Sequence, residues 1–516
     1  MKKLFLALIA ILNINVLLAQ TSPQLVVFIN IDGLRYEYLN LYKANFDKQG
    51  GFTKLMDHSA FVKHLDYDYP YFGKYVDFVS ATTGSNPETH GIIGNSWINR
   101  STSKVEACFY DSKFKGIGTD KLVSGAKILV PNIADEVKLN SYGSSRVCVV
   151  GIDAEDVVSI AGHNADIALW IDGLKWVSSS YYNSQKPEWL SKYEREHPIE
   201  KLLPNVWQPI FPIRYYKYAQ AKGDQAKSFS YTLNKKGTDL KSTPFVNKVV
   251  KELTMELIRK EQLGKKKMPD ILGLNFCISD YKDTYETGLT CEMEDAYIRL
   301  DKELGQLMTF IETHMGGTDK VLFCVMGNRQ STCSASGYSA YKLSNGIFYP
   351  KRTMSLLNSY FMAMHGQASW VLGYANGNIY FNREKIDSKK LSVKDFQEKA
   401  VDFLRQISGI KGAIPEFSLR YSSTTETNYQ RLYNQDRMGD VIIKLRSGWV
   451  DANDKDKVTK ESIGKFINSV PVFFYGNGIH NKQIPSANVV DIVPTILSNL
   501  NIVYSENIIG KEILIK

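Results

Sequence analysis

Two aspartates follow apolar runs of the chain at positions where they could take part in chemistry. Asp32 comes directly after the run Leu25–Ile31, and Asp280 comes shortly after the run Ile271–Ile278. Carboxylates of this kind can hold a metal ion, or they can be buried groups whose hydrogen bonds the fold needs. Two such carboxylates repel each other unless a cation lies near them. The sequence favours the buried structural role over residual metal binding.

The apolar runs predict the elements that would position these residues. Five short runs, each followed by a polar or glycine-containing turn, are typical of buried parallel strands: Leu25–Ile31, Val147–Ile152, Ile271–Ile278, Val321–Val325 and Val470–Tyr475. Helical patterns lie between them, for example Glu292–Ile311. Strands that alternate with helices predict an α/β fold with a mostly parallel sheet flanked by helices. In such folds the ligand site lies at the carboxyl ends of the strands.

The length and charge of the chain leave its domain count open. The first twenty residues combine two lysines, an apolar run and Ala19, which predicts a cleaved signal peptide over 1–20 and a periplasmic or secreted protein without a transmembrane segment. We expect one α/β domain over 21–516, with cap-type insertions at about 100–260 and 335–430. Without the two N-terminal lysines, 61 basic residues face 54 acidic ones. The run Lys265–Lys267 is short, so nucleic-acid binding has little support.

The six cysteines, at 108, 148, 277, 291, 324 and 333, have no zinc-type spacing. In an oxidising compartment they predict one or two disulfides together with buried thiols.

Several segments in order resemble the alkaline phosphatase superfamily, especially its bacterial phosphate-irrepressible monoesterases and more distantly its nucleotide pyrophosphatase/phosphodiesterase branch. They are NIDGLRYEYL at 30–39, GSNPETHGIIGNSW at 84–97, AGHNADIALWID at 161–172, ISDYKDTYETGLTCEMEDAYIRLDKEL at 278–304, SVPVFFYGNGI at 469–479 and VVDIVPTILSNLNI at 489–502. The resemblance implies an alkaline phosphatase-like fold. It also implies a two-zinc site with a Thr or Ser nucleophile, which suits phosphoester cleavage.

This chain keeps two of the six metal-ligand positions that the resemblance implies, Asp32 and Asp280. The other ligand positions carry residues that are poor zinc ligands, namely Thr284, Gly327, Asn328 and Ser469. The nucleophile position carries Lys74, or Gly73 with a one-residue insertion, and neither can be phosphorylated as a Thr or Ser can. We expect the Lys74 ammonium to lie about where a zinc would.

The resemblance also assigns residues that face the substrate. Asn95 matches an asparagine that hydrogen-bonds a phosphoryl oxygen, and a pair of phosphate-contacting basic residues maps near Glu155 and Val157. Negative charge there would repel a phosphate. Thr82 or Thr83 could serve as a displaced nucleophile, but a cap or turn role is favoured. For three histidines a structural role is favoured over new metal binding, and these are His90, His163 and His365.

Three functions therefore remain open. The first is an exported pseudophosphatase that binds a protein or glycan partner and needs no cofactor. The second is a diverged metal-dependent phosphomonoesterase or phosphodiesterase that uses zinc. The third is a purely structural protein with a closed cleft in which Lys74 bridges Asp32 and Asp280.

Overall fold

A ten-stranded sheet forms the centre of the protein. The computed structural model describes residues 22–222, 228–234, 239–278, 290–329, 344–421, 427–452 and 470–516. The described strands are β1 (Leu25–Asp32), β2 (Ala60–Val62), β3 (Ser96–Asn99), β4 (Lys104–Ala107), β5 (Gly116–Ile117), β6 (Val147–Val150), β7 (Ile167–Asp172), β8 (Lys175–Ser179), β9 (Val206–Trp207), β10 (Tyr231–Thr232), β11 (Asp270–Cys277), β12 (Val321–Gly327), β13 (Gly346–Phe348), β14 (Val371–Ala375), β15 (Asn378–Phe381), β16 (Ile410–Pro415), β17 (Val441–Leu445), β18 (Trp449–Asp451), β19 (Val472–Gly476) and β20 (Lys482–Ile484).

Helices cover both faces of this sheet. The described helices are α1 (Tyr36–Tyr42), α2 (Gly51–His58), α3 (Lys74–Thr83), α4 (Pro87–His90), α5 (Ile133–Asn140), α6 (Ala154–Ala161), α7 (Glu188–Glu196), α8 (Ile199–Leu202), α9 (Lys217–Lys222), α10 (Phe245–Glu261), α11 (Cys291–Met315), α12 (Pro350–His365), α13 (Arg383–Ser388), α14 (Val393–Leu404), α15 (Glu416–Tyr421), α16 (Thr427–Gln430) and α17 (Ile492–Asn499). Helix α11 contains the predicted helix at 292–311. It begins after Thr290, whose hydroxyl accepts the Met293 N–H, and ends before Gly316 in the left-handed conformation.

The strands of the large sheet lie in the order β20-β2-β19-β12-β1-β11-β6-β7-β8-β5. Its centre is parallel, since β1 pairs in parallel with both β11 and β12, and β11 and β7 pair in parallel with β6. The predicted mostly parallel α/β fold is therefore confirmed.

One predicted strand runs in the opposite direction. The run at 470–475 was expected to be parallel, but β19 pairs antiparallel with β12. All but one of its residues are buried. A strand buried on both faces has the same continuous apolar pattern in either direction, so the pattern cannot specify its orientation.

Alternate residues of β1 belong to two different cores. Val26 and Phe28 lie in the core on one face of the sheet, whereas Leu25, Val27 and Ile29 lie in the core on the other. All eight residues of the strand are buried. The strand therefore holds its last residue, Asp32, in a fixed position at the carboxyl edge.

The two intervals expected to be insertions differ in structure. The interval 100–260 contributes β5, β6, β7 and β8 to the large sheet. The second interval contributes β14, β15 and β16 to a separate four-stranded sheet of order β14-β15-β17-β16, whose fourth strand β17 lies beyond that interval, and this sheet has its own core. The exact insertion boundaries stay a prediction.

Among the described residues, no helix has the length and apolar character needed to cross a bilayer. Cys148, Cys291 and Cys324 are buried, and burial raises the pKa of each thiol, that of Cys291 to about 11. The five cysteines that the structure describes are buried and form no disulfide with one another, so the predicted disulfides are not found among them, whereas the predicted buried thiols are. The signal peptide stays a prediction.

Candidate functional site

An ammonium group lies between two carboxylates at the carboxyl edge of the large sheet. Lys74 Nζ is 2.9 Å from Oδ2 of Asp32 and 2.8 Å from Oδ1 of Asp156. Asp32 ends β1, Lys74 begins α3, and Asp156 lies in the first turn of α6. All three side chains are buried, and we call them the lysine centre.

Two amide groups complete the surroundings of Asp32. Nδ2 of Asn30 donates to Asp32 Oδ1 over 2.9 Å, and Nδ2 of Asn328 donates to the same oxygen over 2.8 Å. Both carboxylate oxygens of Asp32 therefore accept hydrogen bonds. The remaining amide oxygens, Oδ1 of Asn30 and Oδ1 of Asn328, have no hydrogen-bond partner among the described residues.

The charges of the lysine centre do not balance, because one ammonium faces two carboxylates. Burial alone lowers the pKa of Lys74, but the carboxylates of Asp156 and Asp32 outweigh it and raise that pKa well above its usual value. Burial raises the pKa of Asp156 to about 7, against the attraction of Lys74 and with a further contribution from Asp32. Lys74 is therefore protonated at neutral pH, and Asp156 titrates near neutral pH.

A second buried ion pair lies beside the lysine centre. Nε and an Nη of Arg329 donate to the two carboxylate oxygens of Asp77 over 2.7 and 2.5 Å. The guanidinium carbon lies 3.7 Å from the ring centroid of Tyr67 and 5.2 Å from that of Tyr69. Arginine pairs with a carboxylate through two parallel bonds and stacks well on aromatic rings. We call these groups the arginine centre.

The predicted substrate-binding residue Asn95 has a structural contact. Its Oδ1 accepts the backbone N–H of Tyr75 over 3.3 Å at the start of α3. Gly73, just before that helix, has φ +134°, and a Cβ atom there would lie 2.2 Å from Asn95 Oδ1. Only glycine fits this position without displacing Asn95.

The structure describes some of the metal-ligand positions that the resemblance assigned and not others. Asp280, Thr284 and Ser469 lie outside the described residues. Gly327 ends β12, where a Cβ atom would lie 2.7 Å from the carbonyl oxygen of Leu34. A ligating side chain at 327 would therefore need the backbone at Leu34 to move.

The two threonines considered as displaced nucleophiles are fully buried. The Thr82 hydroxyl donates to the carbonyl of Ser159 over 3.0 Å, and the Thr83 hydroxyl donates to that of Val79 over 2.6 Å. Both hydroxyls are therefore buried and bonded to backbone carbonyl oxygens.

Each of the three candidate histidines contacts a partner outside the lysine centre. His90 is buried, Nδ1 accepts the N–H of Ile92, and burial lowers its pKa to about 3. Nδ1 of His163 lies 2.7 Å from Asp135, whose hydrogen bond raises the pKa of the imidazole. His365 stacks on Phe396 in the core of the smaller sheet.

The donor set of the described residues does not fit a zinc ion. Zinc in proteins prefers His nitrogen, Cys sulfur and carboxylate oxygen. Around Asp32 the structure has the Lys74 ammonium and two amide groups that donate hydrogen bonds to it. The part of the chain that the structure describes contains no group of three His, Cys, Asp or Glu residues arranged to hold a metal. The Lys74 ammonium, 2.9 Å from Asp32 Oδ2, also repels any metal cation that would bind at Asp32.

Three charged residues of the two centres were missed from sequence: Asp156, Asp77 and Arg329. The expectation for α6 concerned Glu155, whose carboxylate pairs with Lys121 over 3.1 Å, and Val157, which is in the core. The signal for Asp156 was available, because it follows a strand at the same edge of the sheet as Asp32.

With this geometry in view, comparisons with known proteins identify the family. The model of type I phosphodiesterase / nucleotide pyrophosphatase matches residues 26–465. The alkaline phosphatase PafA of Elizabethkingia meningoseptica is 25% identical over 96% of this chain and 94% of that protein. The alkaline phosphatase PhoV of Synechococcus elongatus is 25% identical over 95% of this chain and 92% of that protein.

A solved structure has the same fold. The crystal structure of wild-type alkaline phosphatase PafA superposes with a TM-score of 0.85 at 24% identity, covering 96% of this chain and 99% of that one. The chain therefore belongs to the type I phosphodiesterase / nucleotide pyrophosphatase family, within the alkaline phosphatase superfamily.

Proposed function

We propose that this chain is an exported, non-catalytic member of its family that acts in the periplasm or outside the cell as a binding or assembly protein for a protein or glycan partner. The observation that carries the proposal is the position of Lys74. Its ammonium pairs with both Asp32 and Asp156, so the cation that these carboxylates need is part of the polypeptide.

The local chemistry supports the loss of nucleophilic catalysis at this position. A protonated amine has no lone pair with which to attack phosphorus, and the pKa of Lys74 is raised. The neighbouring hydroxyls of Thr82 and Thr83 are buried. Arg329, a side chain that could otherwise bind a phosphate, makes two hydrogen bonds to Asp77.

Metal analysis combined with hydrolysis assays tests the proposal. The purified full-length secreted protein should contain much less than one zinc per chain. It should not hydrolyse a phosphate monoester or diester above the rate of the buffer, with or without added zinc. The variant Asp280→Asn should behave like the parent in both measurements.

The alternative is a diverged metal-dependent phosphomonoesterase or phosphodiesterase, and the names of the relatives favour it, since both are alkaline phosphatases. Stoichiometric zinc, together with turnover that disappears on chelation and in Asp280→Asn, would establish this alternative and exclude the proposal. Thr83→Val is a matched control, because that buried hydroxyl should matter in neither case.

A further inference from the structure

An exposed apolar patch lies near the N-terminal end of the described chain. The exposed fraction is 98% for Tyr142, 85% for Val503, 62% for Leu139 and 36% for Tyr504. Isolated apolar residues at a surface are ordinary, but a group of them marks an interaction site. We call these four residues the apolar patch.

Hydrogen bonds connect the parts of the apolar patch. Nδ2 of Asn140, between Leu139 and Tyr142 in sequence, donates to the carbonyl oxygen of Val503 over 3.1 Å. The next contact along the C-terminal segment is the N–H of Ser505, which donates to the carboxylate of Glu136 over 3.3 Å. The end of α5 and the segment 503–505 therefore form one continuous surface.

Three consecutive lysines adjoin the apolar patch. Lys265, Lys266 and Lys267 are all exposed, and Lys266 Nζ donates to the carbonyl oxygen of Ser144 over 3.2 Å. Ser144 is two residues from Tyr142, so Lys266 contacts the turn that carries Tyr142, whereas the Lys265 ammonium donates to the carbonyl oxygen of His314. Glu506 is the exposed acidic residue that follows Val503 closely in sequence. Positive charge therefore predominates here.

Ser22, the first described residue, also lies at this face. Asn501 Nδ2 donates to the Ser22 hydroxyl over 2.6 Å, and Asn501 is two residues from Val503.

We infer that this face binds the surface of an anionic lipid membrane. Exposed aromatic and aliphatic side chains enter the boundary between headgroups and acyl chains, and adjacent lysines pair with anionic headgroups. Tyrosine is favoured at this depth because its ring is apolar and its hydroxyl is polar. Binding at this face leaves the lysine centre out of the interaction, so the inference does not depend on whether the protein is catalytic.

Vesicle flotation with the chain from residue 21 onward tests the inference. The protein should float with phosphatidylglycerol vesicles at low salt, and binding to pure phosphatidylcholine vesicles should be weaker. Tyr142→Ser combined with Val503→Ser should weaken binding about tenfold or more, because each removed CH₂ group contributes to insertion. The triple substitution Lys265→Gln, Lys266→Gln, Lys267→Gln should remove most of the salt dependence of binding.

Val105→Ser provides the matched control, since Val105 is an exposed residue of β4, in the hairpin that β3 and β4 form, and is not part of the apolar patch. Its vesicle binding should equal that of the parent. Circular dichroism and the thermal midpoint of each variant distinguish lost binding from lost folding.

Two results would overturn the inference. One is a parent protein that does not bind anionic vesicles. The other is a Tyr142→Ser, Val503→Ser variant that is folded and binds vesicles as the parent does. If the parent instead sediments as a dimer that this double variant dissociates, the face is a contact between two copies of the chain.

Discussion

The lysine centre and the arginine centre are both buried and are linked through α3, which carries Lys74 and Asp77, yet their charges are arranged differently. In the arginine centre one guanidinium faces one carboxylate, makes two bonds to it and stacks on tyrosine rings. In the lysine centre one ammonium faces two carboxylates, and two amide oxygens nearby have no described partner. The first is a saturated ion pair, and the second is short of positive charge.

This difference assigns distinct roles to the two centres. A balanced, bidentate pair holds α3 against the segment that follows β12 and has no capacity for another ligand. A cluster with excess negative charge responds to protons and to cations. Substitutions in and around the two centres test that distinction.

Replacing Arg329 should have the largest effect on stability. Arg329→Met leaves the Asp77 carboxylate buried without its partner, and such losses lower the free energy of unfolding by about 3–5 kcal/mol. Urea unfolding at neutral pH measures it. Arg431→Met, which breaks a partly exposed pair with Asp68, should lower it by less than about 1 kcal/mol. Equal effects in the two variants would contradict a special role for the arginine centre.

Replacing Lys74 should destabilise the protein less. We expect Lys74→Ala to lower the free energy of unfolding by about 2–3 kcal/mol, toward the low end for a broken buried pair, because Asp156 can take up a proton. Millimolar Mg²⁺ or Ca²⁺ should raise the thermal midpoint of this variant but not that of the parent. Without the ammonium, the carboxylates of Asp32 and Asp156 face a space with no positive charge, and both ions bind carboxylate oxygens.

The matched control for Lys74 is Lys121→Ala, which breaks the more exposed pair with Glu155. Its midpoint should not depend on divalent cations. A Lys74→Ala variant as stable as the parent would show that the ammonium does not hold the two carboxylates together.

The lysine centre should also make stability depend on pH. The pKa of Asp156 is raised to about 7 by burial, whereas an unfolded aspartate has a pKa near 3.9. The folded state therefore binds more protons between these values, and its stability falls as the pH rises from about 4 to 7. The slope can reach about 1.4 kcal/mol per pH unit. Urea midpoints across this range measure it.

Asp156→Asn should make that dependence less steep but not abolish it, because burial also raises the pKa of Asp301 to about 6. Glu155→Gln on the same helix should leave the dependence as in the parent. If the two variants give the same pH profile as the parent, Asp156 does not titrate in this range.

The smallest effect is expected at Asn95. Asn95→Ala removes the acceptor for the Tyr75 N–H and should lower the free energy of unfolding by about 1 kcal/mol. Asn95→Asp keeps an acceptor and should recover most of the loss, as measured by thermal unfolding. A loss of several kcal/mol in Asn95→Ala would show that Asn95 does more than accept the Tyr75 N–H.

Apolar runs predicted the strands because strands buried on both faces need continuous apolar side chains. The direction of β19 and the pairing of the short strands β2 and β20 depend on tertiary contacts, which no local pattern specifies. The separate sheet of β14 to β17 was also not evident, since its strands are mixed with helices.

The site was predictable at positions that the family resemblance assigns and less so at the residues beside them. Sequence reasoning placed Lys74 near Asp32, and in the structure their charged atoms are 2.9 Å apart. Asp156 was missed because an error of one residue on a helix turns the side chain by about 100° around the axis. Arg329 was missed because it comes one residue after Asn328, a position that the family resemblance assigned, and has no assigned role itself. Its partner Asp77 lies inside a buried helix.

Strand β1, which carries Asp32 at its end, has hydrogen-bonded neighbours on both sides and side chains in both cores. Its amide hydrogens can therefore exchange with deuterated solvent only when the whole sheet opens. Exchange rates along β1 thus report the global free energy of unfolding. A variant of the lysine centre that slows or speeds exchange across the entire strand changes the stability of the protein as a whole, whereas a change confined to its last residues is local.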